Sequence, residues 1–282
     1  MDSTSPNIVQ NLTRKAEHIR RRSLEIICSA KGGHTGGGLS STDILTTLYL
    51  HVLNVDPKNP QMENRDRFVM SKGHCVEALY CALAEAGFIP DSLLEEYGKF
   101  GTTLAGHPTK KVAGVEINSG ALGHGLPVGV GMAMAAKMDK KDYLTYVLMG
   151  DGEQGEGSIY EAAMAASHYK LDNLIAIIDR NGLQISGSTE NVMSLEPMQQ
   201  RWEAFGWNVL EVDGNSIPEL LKAFDFFKKN KNGKPHLLIA KTVKGKGVSY
   251  MENVAKWHHG VPNAEQLTQA KSEIEQRLET MK

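Results

Sequence analysis

Apolar residues recur along this chain in two distinct periods. Residues 12–30 carry them at helical spacing, and "KGG" closes the segment, with Gly32 and Gly33 expected to supply a left-handed stop. "SSTDILTTLYLHVL" (40–53) restarts a helix behind hydroxyl caps. "RFVMSKGH" (67–74) reads as a short strand feeding a loop at Ser71–His74. "VEALYCALAEAG" (76–87) and "DSLLEEYGKF" (91–100) read as two further helices, each ending near glycine. "GHGLPVGVGMAMAAKMD" (123–139) has the small residues of a tightly packed helix. "YLTYVLM" (143–149) and "LIAIID" (174–179) are largely apolar and unalternating, the pattern of parallel strands buried on both faces. Between them, "SIYEAAMAASHYKL" (158–171) has helical length and alanine content. "EPMQQRWEAFG", "WNVLEV", "IPELLKAFDFFKKN" and "HLLIAKT" continue the alternation, and a last helix is expected over about 263–281. Strands and helices in this order predict an α/β fold: a doubly wound, mostly parallel sheet of about five or more strands, with helices on both faces. With no repeat, low-complexity linker or composition break, residues 1–282 read as one domain.

Composition narrows the function classes. The 282 residues carry 31 basic and 33 acidic side chains, and neither sign forms a long block, which argues against a general nucleic-acid or membrane-surface binder. No stretch approaches the roughly 20 apolar residues that span a bilayer. The start, "MDSTSPNIVQNLTRKAEHIRRR", is polar and then helical, without a signal-peptide core. Cys28, Cys75 and Cys81 are odd in number and lack C-x-x-C spacing, so buried thiols in a reducing cytoplasm are expected. The 28 glycines are clustered, which points to loops needing close backbone approach.

Ligands of open parallel sheets bind at the carboxyl ends of the strands. There the sequence places "SKGH", "MGDGEQGEG", "DRNG" and "KTVKGKG". The second of these discriminates between chemistries. Counting from Asp151, an EF-hand would need glycine at the sixth place and glutamate at the twelfth, but Glu156 and Ala162 stand there. No lysine follows in the manner of a Walker loop. Gly150, Gly152 and Gly155 keep G-x-G-x-x-G spacing, yet Asp151 and Glu153 between them would repel a bare pyrophosphate. A divalent cation bridging protein oxygens and a diphosphate removes the conflict, since Mg²⁺ takes few protein ligands plus phosphate oxygens. Asp151 and Asn181 lie one strand–helix–strand unit apart, which brings neighbouring strand ends side by side; the carbonyl of Leu183 is a third candidate ligand.

Gly-Asp-Gly followed about thirty residues later by Asn is a thiamine diphosphate motif, and "GDGEQGEG…IIDRNGLQISG" resembles its transketolase form. "SAKGGHTGGGLSSTD", "SKGHCVEALY", "GHPT", "GVEINSGALGHGLPVGVGMAMA" and "KTVKGKG…WHHG" are similar to that family's histidine and glycine loops, in the family's order along nearly the whole chain. Two departures stand out: Thr35 where the family usually has proline, and the doublet His258–His259, of which His258 is favoured as the functional imidazole.

The resemblance implies roles. His34, His107 and His258 would serve the sugar hydroxyls and proton transfer, because imidazole titrates near operating pH. Thiamine diphosphate would be held by His74, by backbone groups of Gly120, Ala121 and Leu122, by Gly150, Asp151 and Gly152, and by Asn181, Lys244 and His258. Ile185 would pack on the thiazolium, and the metal (Mg²⁺, or Ca²⁺ or Mn²⁺) would take Asp151, Asn181 and Leu183. Glu156 would belong to the cofactor's proton network at a subunit interface, and Glu153 is expected in solvent. His124 reads either as a neighbour of the site or as a helix cap, while Lys241 and Lys246 read as surface charges. Transketolases also carry pyrimidine-binding and C-terminal domains, which are expected here on a separate chain. The resemblance therefore implies the N-terminal subunit of a split transketolase, moving a two-carbon ketol unit between sugar phosphates. Its expected partner is a separate C-terminal subunit, in a two-plus-two heterotetramer. Two other readings stay open: a component of a different thiamine diphosphate transferase (one for an unusual sugar phosphate, or deoxyxylulose-phosphate-synthase-like), and a non-catalytic cofactor-binding module.

Overall fold

The computed structural model describes residues 4–281. Its helices and strands follow in order: α1 Pro6–Ala30, α2 Thr35–Thr47, β1 Arg67–Met70, α3 Val76–Glu85, α4 Gly125–Met138, β2 Thr145–Gly150, α5 Gly157–His168 and β3 Leu174–Arg180. After a small hairpin, β4 Leu183–Gln184 with β5 Gly187–Ser188, come α6 Thr189–Val192, α7 Met198–Ala204, β6 Asn208–Asp213, α8 Ile217–Lys229, β7 His236–Lys241 and α9 Ala264–Thr280.

Five strands form one parallel sheet in the order β1-β2-β3-β7-β6. Alternate side chains of the central strands supply two separate cores. Phe68, Tyr146, Leu148, Ile175, Ile177 and Leu238 face α1, α2, α3 and α8. Val147, Met149, Ala176, Ile178 and Ile239 face α4, α5 and α7. Burial on both faces is why these strands carry almost no polar residues, and the doubly wound expectation holds. Small residues let α4 lie close to the sheet: a Cβ on Gly129 would come within 2.4 Å of Val147 Cγ2. A third cluster docks α9 onto α1 and α2 through Leu24, Leu39, Trp257 and Ile274, and a reciprocal Asn263–Gln266 capping box starts α9.

Several local expectations are corrected. The left-handed stop of α1 is Lys31 (φ 55°), not the glycines after it. Helix α2 begins at Thr35 and runs through Gly36–Gly38, so Ser40 and Ser41 lie inside it and bond back to Gly37 O rather than capping. Glycine persists there because space is absent: a Cβ on Gly37 would meet Cys75 Sγ at 2.5 Å, and one on Gly36 the Trp257 carbonyl oxygen at 2.7 Å. Residues 91–100 form only a short 3₁₀ turn, Asp91–Glu96, after which Tyr97 turns extended and inserts into the protein.

Candidate active site

The carboxyl ends of β1, β2, β3 and β7 open onto one cavity of about 270 Å³. It brings together His34, His74, Gly120, Leu122, Gly150, Asp151, Gly152, Asn181, Leu183, Ile185, Lys244 and His258, which lie far apart in sequence. Its base is built where β2 and β3 end. Asp151 Oδ1 accepts the Gly152 N–H at 2.8 Å, and Oδ2 accepts the Gly182 N–H at 2.6 Å with Arg180 Nη1 at 3.4 Å. Burial, with Asp179 adding to it, pushes the Asp151 carboxyl up, opposed by the Gly182 and Gly152 N–H groups and by Arg180. Asn181 Nδ2 donates to Asp179 Oδ2 at 3.2 Å, and Asn181 Oδ1 accepts the Leu183 N–H at 3.2 Å. The Leu183 carbonyl in turn accepts from Lys244 Nζ at 3.1 Å. A carboxylate, an amide oxygen and a backbone carbonyl therefore border the same space. Among the described residues, no three His, Cys, Asp or Glu side chains gather as a metal cage.

Imidazoles line the other side. The His34 ring lies 5.0 Å from His74, 5.6 Å from His258 and 4.8 Å from His259, centroid to centroid. Burial, then nearby positive charge, pushes His34 down to about 4, His74 to about 2 and His258 to about 3, so all are neutral at pH 7. Lys244 Nζ sits 3.0 Å from His258 Nδ1. An ammonium only donates, so Nδ1 accepts and the His258 proton resides on Nε2. His259 instead lies in a second cleft, with His34, His107 and Tyr97.

Some expected residues stand elsewhere. His107 is outside that cavity, in the adjoining cleft, with its ring 6.4 Å from His34. Ala121 and Glu156 are exposed and do not line the cavity. Glu156 follows the turn Gly152–Gly155, which carries its side chain to the surface. Ile185 reaches the cavity rim but is 76% exposed, because it sits at the tip of the β4–β5 hairpin. His124 begins α4, where its Nδ1–H donates to Leu122 O at 3.0 Å. Glu153, expected in solvent, is 2% exposed: it accepts from Ser71 Oγ and from the N–H groups of Gly123 (2.8 Å) and Gly150 (2.9 Å). It thereby ties the glycine loop before α4 to the end of β2.

The sequence reading missed Lys72 and Asp179. Lys72 is 1% exposed, donates to Gly37 O at 2.9 Å and is ion-paired with the fully buried Asp179. Despite burial, Lys72 holds the Asp179 carboxyl below its usual range. The one signal was the aspartate ending the otherwise apolar "LIAIID".

Comparison with known proteins agrees with this architecture. Residues 12–277 match the family model described as transketolase, thiamine diphosphate binding domain. The chain is 60% identical to one of the subunits of the apulose-4-phosphate transketolase of Phocaeicola vulgatus, covering 97% of each. It is 40% identical to a 6-deoxy-6-sulfo-D-fructose transketolase subunit of Clostridium sp., over 94% of this chain and 96% of that one. The crystal structure of Campylobacter jejuni transketolase superposes with a TM-score of 0.90 at 37% identity, over 95% of this chain and 43% of that one. A parallel sheet whose strand ends gather Asp151, Asn181 and the loop histidines, together with these matches, places the chain in the transketolase family, within its thiamine diphosphate-binding domain.

Proposed function

We propose that this chain is the thiamine diphosphate-binding subunit of a two-chain transketolase. In this reading it transfers a two-carbon ketol unit from a ketose phosphate to an aldose phosphate and works only with a separate C-terminal subunit. The observation that carries it is the convergence of Asp151, Asn181 and the Leu183 carbonyl with His34, His74, Lys244 and His258 around one cavity. Three oxygen donors on one side fit a hard cation such as Mg²⁺ whose remaining positions are filled by a diphosphate. Asp151, Asn181 and Leu183 would hold that ion. Backbone groups of Gly150 and Gly152, with His74, Lys244 and His258, would meet the diphosphate. Gly120 and Leu122 would meet the aminopyrimidine, and Ile185 the thiazolium. Glu156, exposed beside Gly123, would join the interface proton network.

Thiamine diphosphate, when bound, supplies the carbon that stabilises the transferred unit as a carbanion equivalent. This chain's residues bind, orient and move protons. His34, neutral at pH 7, would accept a hydrogen bond from a donor hydroxyl. His258, protonated on Nε2 and backed by Lys244, donates a hydrogen bond into the cavity. His107, in the adjoining cleft, orients the remainder of the sugar.

Support for a partner comes from relatives named as transketolase subunits, and we extend it to a two-plus-two assembly. Unpaired Cys28, Cys75 and Cys81 suit a reducing compartment, and we read the protein as cytoplasmic. The test is co-purification with the partner chain, then assay with thiamine diphosphate and Mg²⁺. The donor panel includes common ketose phosphates, apulose 4-phosphate and 6-deoxy-6-sulfo-D-fructose. Ketol transfer by the pair and none by this chain alone is expected. Full activity of the single chain would overturn the two-chain reading, and binding of the cofactor without any transfer would leave a non-catalytic module.

A further inference from the structure

The 3₁₀ turn Gly73–Cys75 carries His74, and the start of α3 directly after it carries Glu77 and Tyr80, three residues apart on one side of the helix. His74 lines the cofactor cavity. The other two reach loops that bear different histidines. Glu77 is 1% exposed, and its Oε1 accepts the backbone N–H of His34 at 3.1 Å and the Tyr97 hydroxyl at 2.7 Å. Its Oε2 is buried with no hydrogen-bond partner. A carboxyl sunk this deep with one oxygen unmet is costly, and side chains of that kind persist where geometry needs them. The fit is close: a Cβ on Gly33 would come within 2.5 Å of Glu77 Oε1. Tyr80 does the same for the other loop, its one hydroxyl proton shared between the carbonyls of Ala105 (3.0 Å) and His107 (3.1 Å).

We propose that Glu77 and Tyr80 are positioning residues that set the separation of His34 and His107 across the cleft where the sugar chain is handled. Glu77 acts through the His34 backbone N–H, and Tyr80 through the His107 carbonyl. The His34 loop is held from its far side by a parallel bridge to Gly260 and by the Thr35 hydroxyl on the Gly260 carbonyl. Glu77 is its anchor on the α3 side. Losing either anchor lets one imidazole drift relative to the other, and a displacement of about 1 Å is enough to cost on the order of 10²-fold in turnover. This inference rests on the transketolase reading for its kinetics, but not for its geometry.

The experiment uses the assembled two-chain enzyme. Glu77→Ala is expected to lower kcat about 10- to 100-fold while thiamine diphosphate affinity stays within about twofold. Glu77→Gln keeps an acceptor oxygen and is expected to recover most of that loss. Tyr80→Phe removes one hydroxyl from a buried ring and decides the matter alone should Glu77→Ala fail to assemble; its sugar KM is expected to rise several-fold with cofactor affinity unchanged. In ¹⁵N-histidine NMR, Glu77→Ala is expected to move the His34 imidazole signals and leave those of His258 in place, whether or not ketol transfer occurs. Absence of transfer in the wild-type pair would therefore sink the functional reading alone. The inference is overturned if Glu77→Gln loses as much as Glu77→Ala, if cofactor affinity falls in step with kcat, or if the variants leave both kinetics and His34 signals unchanged.

Discussion

The side-chain amide of Asn181 donates to Asp179 at 3.2 Å, and that contact decides which end of the amide is free for a ligand. The same carboxylate accepts from Lys72 Nζ, from Thr242 Oγ1 and from Ser40 Oγ at 2.6 Å. Asp179 is thus the buried hub behind the proposed metal site. Asp179→Asn would leave Asn181 free to turn its nitrogen toward the cation. Loss of such a supporting contact typically weakens a metal about 10- to 100-fold. Calorimetric titration of Mg²⁺ with thiamine diphosphate should show that drop, and unchanged affinity would remove Asp179 from the account.

Lys72 and Asp179 also test the stability side of the same hub. Lys72→Met strands a buried carboxylate, which costs roughly 3–5 kcal/mol. Asp179→Asn strands a buried ammonium at similar cost. The double variant Lys72→Met, Asp179→Asn strands neither charge, so urea unfolding should find it well short of the sum of the two singles. Strict additivity would mean that the pair is not coupled in solution.

Gly120 faces the His107 ring, and a Cβ there would come 2.8 Å from Cδ2 with the backbone at φ +147°. Few side-chain-bearing residues adopt that conformation. Gly120→Ala should therefore push His107 out of the cleft and lower kcat/KM for the sugar by about 10²-fold. Full activity in Gly120→Ala would show that His107 has room to adjust.

How much of this was legible in the sequence depends on where each residue's partners lie. The sheet was legible because "LIAIID" and "YLTYVLM" bury both faces, so the apolar run needs no further context. Asp151 and Asn181 were legible because a strand–helix–strand unit fixes their proximity. The start of α2 was not, because glycines at 36–38 lower helix propensity, and only contacts with Cys75 and Trp257 explain them. Lys72 and Glu153 were missed for a related reason. Lysine and glutamate are usually exposed, and their burial here rests on Asp179, Ser71 and Gly123, each at least 30 positions distant. The Glu77 contact with His34 spans 43 positions and left no local pattern at all.

The neutral imidazoles make stability depend on pH in a stated direction. In the unfolded chain a histidine titrates near 6.5, whereas His34, His74 and His258 are pushed down to about 4, 2 and 3, by burial first. As pH falls below 6.5 the unfolded chain takes up protons that the folded chain refuses, so stability is full above that value and declines toward the folded values. For His74 burial comes first, and the Lys72 and Lys244 ammonium groups nearby oppose its protonation. Between pH 6.5 and 5 the loss is at most about 2 kcal/mol per imidazole, taking about 1.36 kcal/mol per unit, and less after solvent screening. His74→Asn removes one such group, so its urea midpoint should fall less between pH 7 and pH 5 than that of the parent chain. Comparing the two chains cancels the contribution of Asp151 and Glu153, whose raised carboxyls act in the opposite sense. Parallel declines in the two chains would mean that His74 takes up its proton over the same pH range folded as unfolded, and burial of a neutral His74 imidazole would drop out of the account.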